Sequence, residues 1–228
     1  MFGWNTGEKS IKEAMVMGKD HFVITIGRQY GSGGRITGKM LAEDLGIHFY
    51  DEEILKMTSE TSAIGEQYFR LADEKAGNNL LYRVMKEMKP DLYLPKKDEK
   101  LTTPENLFRF QSEVIRKIAS EETCIIAGRC ADYVLEQENL DELIRIFVYA
   151  NMDTRVRRVM DVDKVDEKEA LKRIKRIDKE RKEYCRYFAG RDWMNMEHYD
   201  LPINSSRLEF DEMVVLIKDY IRLKGFSV

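Results

Sequence analysis

A chain of 228 residues, 43% hydrophobic and 35% charged, fits one domain with an inserted subdomain and can bury a sizeable core. Its formal net charge of -3 gives no global reason to expect a nucleic-acid partner. Its longest apolar runs are strand-sized, which excludes a membrane-spanning helix and offers no signal peptide. Three cysteines (Cys124, Cys130, Cys185) form no CxxC pair and fit reduced thiols in a cytoplasmic protein. The three histidines lie at no zinc spacing.

Residues 1–20 read as a lead-in to a domain over 21–228. Phe22 to Ile26 reads as a buried strand and Ile36 to Leu45 as a helix, with the glycine-rich "GRQYGSGGR" between them. His48 to Tyr50 is a second short strand, ending at Asp51. Short helices are predicted from Glu52 to about Leu81, broken at Gly65 and Gly77-Asn78. Lys89 to Asn106 is the most loop-like stretch, and Thr103-Pro104 opens a helix whose apolar face carries Leu107, Gln111, Val114, Ile115 and Ile118. "TCIIA" (Thr123 to Ala127) and "LIRIFVY" (Leu143 to Tyr149) are the third and fourth strands. Val165 to Phe188 is a long charged helix and Tyr199 to Ile203 a fifth strand. Ser206 to Glu209 reads as a capping box opening the last helix, to about Leu223.

Strands alternating with helices predict an α/β fold: a five-stranded parallel sheet covered on both faces. In such sheets ligands sit at the carboxyl ends of the strands. The unusual polar stretches fall there: Gly27 to Arg35, Asp51, Gly128 to Asp132, and Asn204 to Ser206.

Glycines at 27, 31, 33 and 34 let successive N–H groups converge, and the following helix adds the positive end of its dipole, so phosphate is the expected occupant. Against the pattern G-x-x-x-x-G-K-[ST], Gly34 stands where the lysine belongs and Arg35 where the hydroxyl belongs. With one residue inserted, Arg35 takes the lysine's place and Thr37 is a possible hydroxyl toward magnesium.

The order and spacing of "IGRQYGSGGR" (Ile26 to Arg35), "FYD" (Phe49 to Asp51), "CIIAGRCADYVL" (Cys124 to Leu135), "DTRVRR" (Asp153 to Arg158), Asp178 with Arg181, and "YDLPINSS" (Tyr199 to Ser206) resemble the cytidylate kinase-like branch of the P-loop nucleoside monophosphate kinases. The resemblance implies a P-loop NTPase fold with a helical acceptor-binding insert (about 52–101) and an arginine-rich lid (about 151–192). It implies that Gly31, Ser32, Gly33, Gly34 and Arg35 cradle the donor phosphates, with Ser205 and Ser206 along the adenine edge. It implies an acceptor held by Asp51, Arg129, Asp132, Asp178 and Arg181, and a lid carrying Arg155 and Arg158. Cytidylate kinases have the loop lysine, Ser or Thr and Gly after the second-strand aspartate, and Gly-Arg-Asp after the third strand. Here these read Gly34-Arg35, Glu52-Glu53 and Gly128-Arg129-Cys130.

The expected activity is transfer of the ATP γ-phosphoryl, with Mg2+, to a nucleoside monophosphate or similar small molecule. Arg35, Arg155 and Arg158 would act on the phosphates, with no metal ligand assigned. The alternative is a nucleotide- or phosphate-binding module without turnover, with a sensing or interaction role. On the long helix Leu171, Ile174, Asp178, Arg181 and Cys185 share one stripe, so an acid and an arginine interrupt an apolar face. They form either an internal ion pair or part of a ligand cleft.

Overall fold

The computed structural model describes residues 21–51, 104–138 and 140–228. Strands β1 (Val23–Arg28), β2 (His48–Tyr50), β3 (Cys124–Ala127), β4 (Leu143–Tyr149) and β5 (Leu201–Asn204) form one all-parallel sheet in the order β2-β3-β1-β4-β5. The helices are α1 (Gly34–Leu45), α2 (Pro104–Glu121), α3 (Ala131–Glu136), α4 (Met152–Asp163), α5 (Glu167–Ala189) and α6 (Phe210–Leu223). This is the five-stranded parallel α/β architecture expected from the alternation of strands and helices. Expectations about residues 1–20, the insert at 52–101 and the Thr103 cap lie outside the described residues.

Side-chain alternation along the strands builds two core layers. Ile24, Ile26, Ile144, Ile146 and Val148 meet Leu41 of α1 and Met213, Ile217 and Ile221 of α6 on one face. Val23, Cys124 and Ile126 meet Val114, Ile115 and Ile118 of α2 and Val134 and Leu135 of α3 on the other. Together these two layers bury some twenty aliphatic side chains, each worth about 1.5–3 kcal/mol of transfer free energy. They hold the carboxyl ends of five strands rigidly in one row.

Local chemistry sets the boundaries. α4 starts where Asn151 accepts from the Thr154 amide at 2.8 Å, and α5 where Asp166 accepts from Glu169. The capping box of α6 is formed by Glu209 and Glu212. The box expected at Ser206 is instead a 3-10 turn, Ser205–Arg207, whose serine hydroxyls bond to the Ser32 carbonyl and the Asn151 amide. The fifth strand begins two residues later than its apolar pattern suggests, since Met196–His198 winds into a 3-10 turn capped by Asn195.

Candidate active site at the carboxyl edge of the sheet

The glycine loop leaves β1 at Arg28 and enters α1 at Gly34. Gly31 and Gly33 turn it with φ of 77° and 90°, a region that favours glycine. Among the described residues, the amides of Gly31, Gly33 and Gly34 have no acceptor, so they are available to an anion at the amino end of α1. The Ser32 amide lies 3.3 Å from the Gln29 carbonyl, and the Ser32 hydroxyl donates to the same carbonyl.

The loop is fixed from behind by the two helices expected to form a lid. Arg155, 4% exposed, donates to the Tyr30 carbonyl at 2.7 Å and pairs with Asp178. Asp178 also accepts from the Tyr30 amide at 2.8 Å, and the Tyr30 hydroxyl donates to Asp163. Burial is the main reason the Tyr30 phenol is pushed up to about 12. Asp178 is therefore an internal ion-pair partner that grips the start of the loop.

Arg158 ties three segments together. Its Nη1 donates to the Ser32 carbonyl at 2.8 Å and to the Ser205 hydroxyl at 3.0 Å, and its Nη2 donates to the Ser205 and Leu208 carbonyls. Ser205, fully buried, donates to the Ser32 carbonyl at 2.6 Å, while the Ser206 hydroxyl accepts from the Asn151 amide. Sequence reasoning assigned Arg155 and Arg158 to phosphates. The structure places both against backbone carbonyls of the loop.

The opposite side of the loop is strongly cationic. Asp51, ending β2, accepts from Arg28 at 2.8 Å on one oxygen and from Arg35 at 2.6 Å on the other. Arg129 lies over the Tyr184 ring, 5.7 Å from its centroid, and Arg181 donates to the Arg28 carbonyl at 2.8 Å. Arg129 and Arg181 both feel the Asp51 charge. Burial lowers the pKa of Arg28 and of Arg129, and brings Arg181 down to about 10 with Arg28 as the second cause. The Nε of Arg28 is buried and has no hydrogen-bond partner among the described residues.

Three successive left-handed residues, Gly128, Arg129 and Cys130, turn the chain from β3 into α3. Such a conformation costs of order 1–3 kcal/mol at a non-glycine residue, and here it aims Arg129 at the cluster. Asp132 stands apart from that cluster. It binds Arg191 at 2.5 Å, not Arg129. Cys130 is buried beside Cys185, and its bond to that thiol together with burial raises its pKa, which suits packing and not nucleophilic attack. Thr37 is fully buried with its hydroxyl toward the Met213 sulfur, because α1 already begins at Gly34. The hydroxyl expected to approach magnesium therefore points into the core. Among the described residues no three carboxylate, histidine or cysteine side chains converge as a metal site, and both Asp51 oxygens hold arginines.

Sequence reasoning missed Arg28 and Tyr30 as organisers. The available signal was position alone: both flank the first glycine turn at the end of the central strand. Gly34 is also explained. A Cβ there would stand 3.0 Å from the Cβ atoms of both Arg28 and Val148, so a side chain at residue 34 fits only if those neighbours shift by a few tenths of an ångström.

The profile of the cytidylate kinase-like family matches residues 23–207, a span that contains the glycine loop, Asp51, Arg129 and the Ser205 turn. The chain belongs to that family. An uncharacterized protein from Eubacterium ventriosum is similar in structure, with a TM-score of 0.62 and 28% identity over 88% of this chain and 98% of that one. More distant likenesses include the shikimate kinase of Bacteroides thetaiotaomicron, with 14% identity, a TM-score of 0.46, and coverage of 88% of this chain and 98% of that one. A gluconokinase from Sinorhizobium meliloti has 13% identity and a TM-score of 0.44, with 90% of each chain covered. None of the curated proteins matches the chain. No described helix of this family member is long and apolar enough to cross a membrane.

Proposed function

We propose that this cytidylate kinase-like protein transfers the γ-phosphoryl of ATP to a nucleoside monophosphate or a small molecule of similar shape. Family membership supports phosphoryl transfer to a small molecule in general. The observation that carries the finer reading is the gathering of Arg28, Arg35, Arg129 and Arg181 about Asp51, next to a glycine loop with open amides. Buried guanidinium groups need anionic partners, and phosphates on both donor and acceptor supply them. Phosphoryl transfer asks the protein for positioning and charge more than for a covalent group. In this reading the loop amides hold the donor, Arg129 and Arg181 face the acceptor, and Asp51 sets the two remaining arginines between them. Magnesium would arrive on the triphosphate, whose oxygens bind it while neutralising charge.

A screen of nucleoside monophosphates and small alcohols with ATP and magnesium, reading ADP release, tests this. Release with a phosphorylated acceptor is the expected result.

Three observations favour a second reading, a nucleotide-binding module without turnover. Arg35 is drawn to Asp51, Thr37 is turned into the core, and Gly34 has no side chain. Such a module would bind nucleotide and release no ADP with any acceptor.

A further inference from the structure

The loop lacks its lysine, and the space in front of residue 34 is bounded by the Cβ atoms of Arg28 and Val148. Arg28 begins with its Cβ against Gly34 and ends with Nη1 against Gly128, where a Cβ would stand 2.2 Å from that nitrogen. The side chain thus runs from the glycine loop after β1 to the turn after β3, strands that are paired neighbours in the sheet. Its guanidinium feels the charge of Arg129, and is anchored by Asp51 at 2.8 Å through Nη2. Arg181 fixes its backbone by donating to the Arg28 carbonyl. Arg35 is placed differently. It takes the other Asp51 oxygen, and its side chain is 46% exposed against 12% for Arg28.

We infer that Arg28, not Arg35, is the catalytic cation that faces the transferring phosphoryl group. This rests on the phosphoryl-transfer reading given above. In the step, the bond from the γ-phosphorus to the β–γ bridging oxygen breaks and its electron pair stays on ADP. An acceptor oxygen forms the new P–O bond, and any proton it carried passes to water. A buried guanidinium held rigid by Asp51 meets the charge on the transferring group without having to reorganise. Its buried Nε has no hydrogen-bond partner among the described residues.

Calorimetric titration of the full chain with magnesium compares ADP with its β,γ-imido triphosphate analogue. The parent is expected to hold the triphosphate roughly tenfold tighter or more. Arg28→Gln is expected to bring the two affinities within about threefold while still binding ADP, and Arg35→Gln to narrow the ratio clearly less than Arg28→Gln does. A parent without the preference, or an Arg28→Gln protein that keeps it, overturns the inference. Should Arg28→Gln lose ADP binding, Arg28→Lys decides. With the charge retained, a ratio within about threefold of the parent's supports the inference, and a ratio of unity overturns it. ADP release in the acceptor screen is read separately. Turnover that ignores Arg28 keeps the function and removes this role. An Arg28-dependent triphosphate preference without turnover keeps Arg28 as the contact of the terminal phosphate and removes both the function and the catalytic role.

Discussion

Asp51 accepts a hydrogen bond from Arg28 on one carboxylate oxygen and from Arg35 on the other, so a single acid at the end of β2 spans both candidate phosphate cations. Removing its charge leaves Arg28 buried among Arg35, Arg129 and Arg181 without that counter-ion. Asp51→Asn is expected to destabilise the fold by about 3 kcal/mol, as for other broken buried pairs. Urea unfolding checks this, and inorganic phosphate should restore part of the loss. A variant as stable as the parent would show that Asp51 is not what holds the cluster together.

Inorganic phosphate or sulfate should bind the parent without nucleotide, because the open amides of the glycine loop and the arginines are built into the fold. At ten times its dissociation constant an anion adds about 1.4 kcal/mol, or roughly 3–5 °C in the melting temperature of a domain this size. The shift should exceed that given by chloride at equal ionic strength. Equal shifts would indicate screening alone.

Gly128→Ala combines a φ of +83° with a Cβ that would sit 2.2 Å from Arg28, whereas Gly46→Ala at φ +65° meets open space. The second change should cost about 1 kcal/mol. The first should cost clearly more than that and weaken nucleotide binding, because Arg28 must move. Paired urea titrations and nucleotide calorimetry on the two variants separate backbone strain from displacement.

Arg158→Ala should leave the carbonyls of Ser32, Ser205 and Leu208 without their charged donor, at about 2–3 kcal/mol of stability. Arg158→Lys cannot span the same fork and is expected to recover less than half of that. Thermal melts of both variants, with and without nucleotide, measure the effect. If the loss disappears once nucleotide is bound, Arg158 serves the ligand and not the backbone.

Tyr30 gives a pH signature. Its phenol is raised from the usual 10 to about 12, first by burial and then by its bond to Asp163. The folded state therefore holds the proton more tightly than the unfolded chain. The stability this contributes is complete below pH 10 and is lost as pH rises through about 12. Urea midpoints at pH 9 and pH 11 should fall less for Tyr30→Phe than for the parent, and parallel falls would argue against it.

Most of the fold was legible because the apolar runs are long and their periods differ. Ile24, Ile26, Ile144, Ile146 and Val148 could hardly be anything but central strands. The glycine loop, Asp51 and Arg129 were legible for a related reason, since each directly follows a buried strand. The partners of the arginines were not legible. Asp178 and Arg181 stood out as polar interruptions of an apolar stripe, but periodicity does not say that Asp178 reaches the Tyr30 amide or that Arg181 reaches the Arg28 carbonyl. Those bonds join residues some 150 positions apart, and only the closed sheet brings them within 3 Å. Asp132 shows the same limit in reverse. Its place beside Arg129 in sequence suggested a shared site, whereas the first turn of α3 directs it to Arg191.

The contacts of the Ser32 carbonyl set an order on biosynthesis. This carbonyl takes its hydrogen bonds from Arg158 and Ser205, 126 and 173 residues further along the chain. A growing polypeptide emerging from the ribosome exposes its glycine loop early but cannot brace it fully until β5 and Ser205 have been made. β1 meanwhile waits for β3 and β4 as neighbours. Nucleotide in the surrounding solution therefore has no finished loop to bind during most of translation. It can favour the native state only at the end, when the braced loop closes and the ligand selects it.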